Sequence, residues 1–210
     1  MNMLFVVFCL VSQPVDTLWT VDFSSTSGEW IAGPQWQWLD DSAFLDIECG
    51  YVSSGYDSNE DSLISPTFIV PENADSLVGI FDHYWWGHGN RYGAPLEWAK
   101  STSYLLMYSS ARSVAIELWE VFGLCEDSRI HDGSRSLTYS VFDSGYVFIP
   151  LLDVSAGDSL SFVFKGLVEA YVQYGSAQAF IEWNLFTFTI LNYPDVALER
   201  YTWGAIKAAF

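Results

Sequence analysis

The stretch Asp158–Ile190, DSLSFVFKG…AQAFIEWNLFTFTI, carries the clearest fold signal in the chain. In its first part Leu160, Phe162 and Phe164 fall on one side, and Ser159, Ser161, Val163 and Lys165 on the other. In its last part Ile181, Trp183 and Leu185, then the pair Phe186/Phe188, alternate with Glu182, Asn184, Thr187 and Thr189. Successive side chains leave a strand on opposite faces, so a period of two in aromatic and β-branched residues predicts two strands joined by a loop. Their apolar content makes them the expected central strands. The opening segment near Val21–Phe23 is expected to pair close by.

Outward from this stretch the chain reads as many short strands punctuated by turn signals, the pattern of an antiparallel sandwich. Alternation over Leu18–Phe23 predicts the first strand, and Ser24–Gly28 a turn. Trp36 and Trp38 share a face, with a bulge or turn expected at Asp40-Asp41. Ser53–Ser62 is polar without apolar periodicity and reads as a loop. LISPTFIVP holds a short strand between Pro66 and Pro71, at a sheet edge because proline cannot donate to a ladder. Ser76–Gly87 is a strong strand, with Ile80, Asp82, Tyr84 and Trp86 on one face and Phe81, His83 and Trp85 on the other. Gly87–Pro95 and Leu124–Ser136 read as loops, Ala111-Arg112 as the turn of a hairpin, and Asp143-Ser144-Gly145 as another turn. Only the tail, residues 193–210, could hold a helix.

Composition narrows the function classes. The chain has 210 residues, enough for one sandwich, and ten Trp, twelve Tyr and fifteen Phe supply a large core. Acidic residues outnumber basic ones 26 to 8, a net charge of −18. This excludes nucleic-acid binding, which needs clustered Lys and Arg to release counterions. It also disfavours anionic membrane surfaces. The apolar run MLFVVFCLV resembles the core of a secretory leader and is too short to span a bilayer, so residues 1–16 are expected to be a signal peptide and the mature chain not to insert in a membrane. Cys49 and Cys125 then remain. They are either a bridge closing a long loop, worth roughly 4 kcal/mol in the chain-entropy picture, or two isolated thiols.

Four segments resemble a known family in order and spacing. They are VDFSSTSGEW at Val21–Trp30, DSLISPTFIVP at Asp61–Pro71, SLVGIFDHYWWG at Ser76–Gly87, and the closing LSFVFKG…AQAFIEWNLFTFTI. They are similar to the "DFE…GW", "DwLisP", "L-x-F-x-Y" and "F-x-F-x-G…a-x-I-D-D-V" elements of MAM-like jelly-roll domains, including the cleaved-adhesin and choice-of-anchor modules of bacterial secreted proteins. The resemblance covers about Trp19 to Leu191. It implies a two-sheet antiparallel jelly-roll β-sandwich over residues 17–192, used for adhesion, for carbohydrate or protein contact, or as an accessory module. It also implies calcium where the opening strand meets the closing one, which points to Asp22 and to Asn184 in place of the family's aspartate.

The residues themselves suggest two further sites. Asp57, Asn59 and Asp61 alternate oxygen donors as calcium loops do, although no EF-hand pattern is present; the alternative is a solvated acidic loop. HYWWGHGNRYG offers aromatic rings to stack on sugar C–H faces and polar groups to fix hydroxyls. Tyr84, Trp86, His88, Asn90, Arg91 and Tyr92 are the candidate glycan contacts. Trp36, Trp38 and Trp85 are expected in the core. The three histidines are too scattered for a zinc motif, and no nucleophile elbow, P-loop or dinucleotide fingerprint exists. The expectation is a secreted, non-catalytic binding or adhesion module that contacts an extracellular glycan or protein. A structural spacer or a polysaccharide-active enzyme are the alternatives.

Overall fold

A computed structural model describes residues 15–24, 29–52, 54–74, 76–93, 97–126, 135–173 and 175–193. The expected leader lies outside these apart from Val15 and Asp16, as does the tail beyond Tyr193. Twelve strands are described: β1 (Asp16–Asp22), β2 (Ile31–Ala32), β3 (Trp36–Trp38), β4 (Ala43–Val52), β5 (Gly55–Ile64), β6 (Phe68–Ile69), β7 (Ser76–Gly93), β8 (Trp98–Ser109), β9 (Ile116–Glu126), β10 (Arg135–Leu151), β11 (Ser159–Val172) and β12 (Ser176–Tyr193).

They form two antiparallel sheets. The first runs β10-β7-β12-β4-β3, with β1 following β4 along the same edge of β12. The second runs β2-β5-β11-β8-β9, with β6 following β5 along β11. Between β4 and β12 the chain crosses from sheet to sheet so that β4, β12, β7 and β10 face β5, β11, β8 and β9. Eight long strands wound in this order across two antiparallel sheets are a jelly roll. The two strands of Asp158–Ile190 are indeed central, but in different sheets: β11 lies between β5 and β8, and β12 between β7 and β4. As expected, the opening strand β1 pairs with β12.

Their inward faces make the core. Leu160, Phe162 and Phe164 of β11 and Ile181, Trp183, Leu185, Phe188 and Ile190 of β12 are all fully buried. The irregular pair Phe186/Phe188 is a β-bulge: pairing with β7 slips by one residue between Leu185 and Thr187, which returns Phe188 and Ile190 to the inside. Phe164 meets Trp183 edge-on at 5.8 Å and Phe188 at 5.5 Å, arrangements that aromatic quadrupoles favour. Trp36 and Trp85 are buried, and Trp38 stacks on Phe23 at 5.9 Å at the margin of the core.

Several loops expected from sequence are strands. Ser53–Ser62 is mostly β5, paired from Gly55 to Ile64 with Val172 to Val163 of β11. Its polar side chains are satisfied locally. Asp61 accepts backbone N–H bonds from Gln35 (2.6 Å) and Ser62 (2.8 Å), and Asn59 Nδ2 donates to the Glu48 carbonyl oxygen (3.0 Å). Gly87–Pro95 is strand as far as Gly93. Its glycines serve packing rather than turning: a Cβ on Gly87 would collide with the Trp85 ring, and one on Gly89 would lie 2.8 Å from the Tyr139 ring. Asp143-Ser144-Gly145 is no turn, because β10 runs unbroken alongside β7. Leu124–Ser136 is strand at both ends, in β9 and β10, and its middle lies outside the described residues. The two cysteines are free and buried, Cys49 on β4 of one sheet and Cys125 on β9 of the other. Burial, reinforced by Asp57, pushes the Cys49 thiol up to about 12.

Candidate functional site

Strand β7 carries the predicted glycan contacts, and its period of two divides them. Tyr84, Trp86, His88, Asn90 and Tyr92 lie on the outer face of the first sheet. Arg91 does not: it is 1% exposed on the inner face, so it belongs to the interior between the sheets and cannot meet a glycan there. Cross-strand neighbours extend the outer row. Phe142 of β10 pairs with Trp86, and Phe180 of β12 pairs with His88. The rings are nearly parallel: Phe142 to Trp86 at 5.7 Å and 2°, Trp86 to His88 at 4.1 Å and 14°, His88 to Phe180 at 4.7 Å and 8°. At 4.1 and 4.7 Å parallel rings overlap face to face, whereas at 5.7 Å Phe142 is displaced sideways from Trp86. His88 is thus stacked with both Trp86 and Phe180, and Trp86 is stacked with His88, which leaves a sugar less free ring face on these two residues than on an isolated ring. Trp86 Nε1 also donates to Ser140 Oγ (2.9 Å).

The outer face of the second sheet offers what the first lacks. A groove of about 480 Å³ crosses β5, β11 and β8, within the range of small-molecule sites. Ile64, Val163 and Leu106 sit side by side on the three strands and give it an apolar patch. Around them stand Glu60, Ser62, Ser161, Lys165 and Tyr108. Lys165 Nζ bonds Glu60 Oε2 at 2.7 Å, so an ammonium and a carboxylate are held together beside the apolar patch. Tyr108 is 48% exposed at one end.

The same face continues beyond the groove. Alternate residues of β8 bring Tyr108, Leu106, Tyr104, Thr102, Lys100 and Trp98 to it, with Leu167, Glu169 and Tyr171 beside them on β11. At the far end Tyr56, Tyr171 and Trp98 are direct cross-strand neighbours; Tyr56 lies 6.1 Å from Trp98 and its hydroxyl donates to Glu169 Oε1 at 2.7 Å. Burial, then the charge of Glu120, raises the Tyr104 hydroxyl above the usual tyrosine range, so it stays a neutral donor and acceptor. From Tyr108 to Trp98 β8 runs about 33 Å. The whole is an extended track with aromatic rings at both ends and a polar middle.

The calcium donors do not converge. Asp57, Asn59 and Asp61 sit on one side of β5, where alternate Cα atoms stand about 6.6 Å apart, so the outer two are about 13 Å apart. Two oxygen ligands of one calcium ion lie at most about 5 Å apart, so the outer two side chains would have to lean toward each other along the strand to share one. Their atoms are also engaged elsewhere: Asp61 by two N–H groups, Asn59 by Gln35, and Asp57 Oδ2 by the Cys49 thiol at 3.5 Å. Asn184 Oδ1 accepts from Ser42 (3.1 Å), Asp22 Oδ1 from the Ser24 N–H (2.9 Å), and Asp22 pairs with Thr187 rather than Asn184. No group of three or more His, Cys, Asp or Glu side chains comes together among the described residues.

In the sequence, Ser161, Val163 and Lys165 stand out only as the face of their strand opposite the core. The signal there is that this face is not uniformly polar; what the sequence lacks is the register that sets Ile64 and Leu106 beside Val163.

No family model matches the chain, and no curated protein matches it. Among solved structures the chain is similar to a carbohydrate-binding module described for specific mannan recognition, TmCBM27. The identity is 12%, the TM-score 0.37, and the match covers 87% of this chain and 100% of that one.

Proposed function

We propose that this chain is a non-catalytic glycan-binding module, and that an extended neutral polysaccharide lies along the outer face of the second sheet. The observation that carries the reading is the groove between β5, β11 and β8, with its apolar patch, its paired Lys165 and Glu60, and the rings of Tyr108 and Tyr104 on one side. A pyranose presents an apolar C–H face and a ring of hydroxyls. The first matches Ile64, Val163, Leu106 and the tyrosines; the second matches Ser62, Ser161, Lys165 and Glu60. Binding is passive: the rigid sheet holds the contacts, and no bond is broken. This reading places the module outside the cell, where such polymers are found, in keeping with the leader-like first residues and the resemblance to MAM-like domains.

Native affinity electrophoresis tests it, with β-glucan, mannan, xylan and galactan cast separately into the gel. At least one polymer is expected to retard the protein, and Tyr108→Ala or Lys165→Ala to remove most of that retardation. Unretarded migration in all four gels, or retardation that both variants leave intact, would overturn the proposal.

A further inference from the structure

The outer face of the first sheet is a second surface of different chemistry. Besides the stacked row, Phe142 and Tyr146 of β10 are 60% and 65% exposed, and Tyr84 and Tyr92 of β7 are exposed at its edges. The charges among them have one sign. Glu182 lies beside Trp86, Asp46 beside Glu182, Glu48 beside Phe180, and Asp82 beside Tyr146. Most basic residues of the described chain lie elsewhere: Lys100 and Lys165 are on the other sheet, Arg91 is interior, and Arg112 pairs with Asp153 in a loop at 2.6 Å; Arg135 begins β10 at the far end of the strand, opposite Gly93.

One pair points directly to a cation. Asp46 and Glu182 face each other across β4 and β12. Like charges directly opposite on a sheet destabilise it. Their field also reaches His88, where it works against the burial that holds the imidazole below its ordinary range. The fold thus sets two like charges opposite each other beside the aromatic row. Such local conflicts are expected where a partner resolves them.

We infer that this face docks a basic protein segment rich in arginine. Different arginines of one segment share the face: one guanidinium stacks on Phe142, Tyr84 or Tyr146, while another, about 10 Å or more away across β7 and β12, bonds by its fork to Asp46 and Glu182, a combination that lysine cannot reproduce. Trp86 at the centre of the patch and the tyrosines around it provide the apolar area that binding hot spots use. The inference is independent of the glycan reading, since the two surfaces lie on opposite sheets.

Fluorescence anisotropy with labelled nona-arginine and nona-lysine peptides at physiological salt tests it. The double variant Asp46→Asn/Glu182→Gln removes two charges from this face, and Glu117→Gln/Glu120→Gln removes two from the second sheet. Nona-arginine is expected to bind more tightly than nona-lysine, and to weaken roughly tenfold in the first variant and negligibly in the second. Equal weakening in both variants would show attraction to the net charge alone and overturn the inference, as would no weakening in either or equal affinity for the two peptides. Polysaccharide retardation in the first variant is expected to match the parent, so failure here is distinguishable from failure of the glycan reading.

Discussion

Trp85 occupies the space above Gly87, and the Tyr139 ring the space beside Gly89. Both glycines are strand residues that make room for a large ring between the sheets. A methyl at Gly89 would meet the Gln178 carbonyl oxygen at 2.5 Å, and backbone cannot step aside as a side chain can. Gly89→Ala is expected to lower stability by roughly 1–3 kcal/mol, read as a reduced urea midpoint at unchanged slope. His83 makes a second residue-scale case. It is buried among Phe81, at 5.0 Å, and Trp119, at 5.1 Å; neither ring nitrogen has a hydrogen bond, and Asp143 is 3.8 Å away. Burial takes its pKa down to about 4 from 6.5, against the opposing pull of Asp143. Between those values the unfolded chain binds a proton that the folded chain refuses, so stability rises with pH across the window and falls on acidification. His83→Leu is therefore expected to show a smaller loss of Tm between pH 7 and pH 4.5 than the parent protein.

At the scale of elements, the alternation in Asp158–Ile190 is enough to read both central strands and even the irregular Phe186, because an aromatic period of two fits a half-buried strand and not a helix. The same rule fails where strand chemistry is masked. Gly55–Ile64 is polar on both faces, and it is a strand because β11 supplies its ladder and Gln35, Ser62 and Glu48 satisfy its side chains, which no local pattern reveals. Asp143-Ser144-Gly145 has turn composition, and Gly145 does adopt φ +101°, but the ladder to β7 runs through it and converts the turn into a local irregularity of a long strand. Gly145→Val is expected to destabilise by about 1 kcal/mol or more, measured by thermal unfolding, although a Cβ there would meet nothing. The glycan contacts are legible in the sequence only as residue types. Register puts Arg91 inside, stacks Trp86 and Phe180 on His88, and assembles the groove from three strands far apart in sequence. Register also sets Asp46 against Glu182; relieving that repulsion by Asp46→Asn is expected to raise Tm by about 1–3 °C.

The whole molecule separates its charges by face. Both lysines among the described residues lie on the second sheet, in contact with Glu60 or over the Phe122 ring, while the first sheet's outer face is acidic and aromatic. With a net charge of −18 the chain repels itself, so Tm is expected to rise between 20 mM and 0.5 M sodium chloride as screening shortens the reach of that repulsion. The same division assigns a neutral polymer to the sheet with mixed charge and a basic partner to the acidic one. The sharpest test of the first assignment is calorimetric titration of Tyr108→Ala and Trp86→Ala, side by side with the parent, using an oligosaccharide of the polymer that retards it. Tyr108→Ala is expected to abolish the binding heat, and Trp86→Ala to leave affinity unchanged. Loss of binding in Trp86→Ala with full affinity in Tyr108→Ala would refute the assignment and place the glycan on the first sheet.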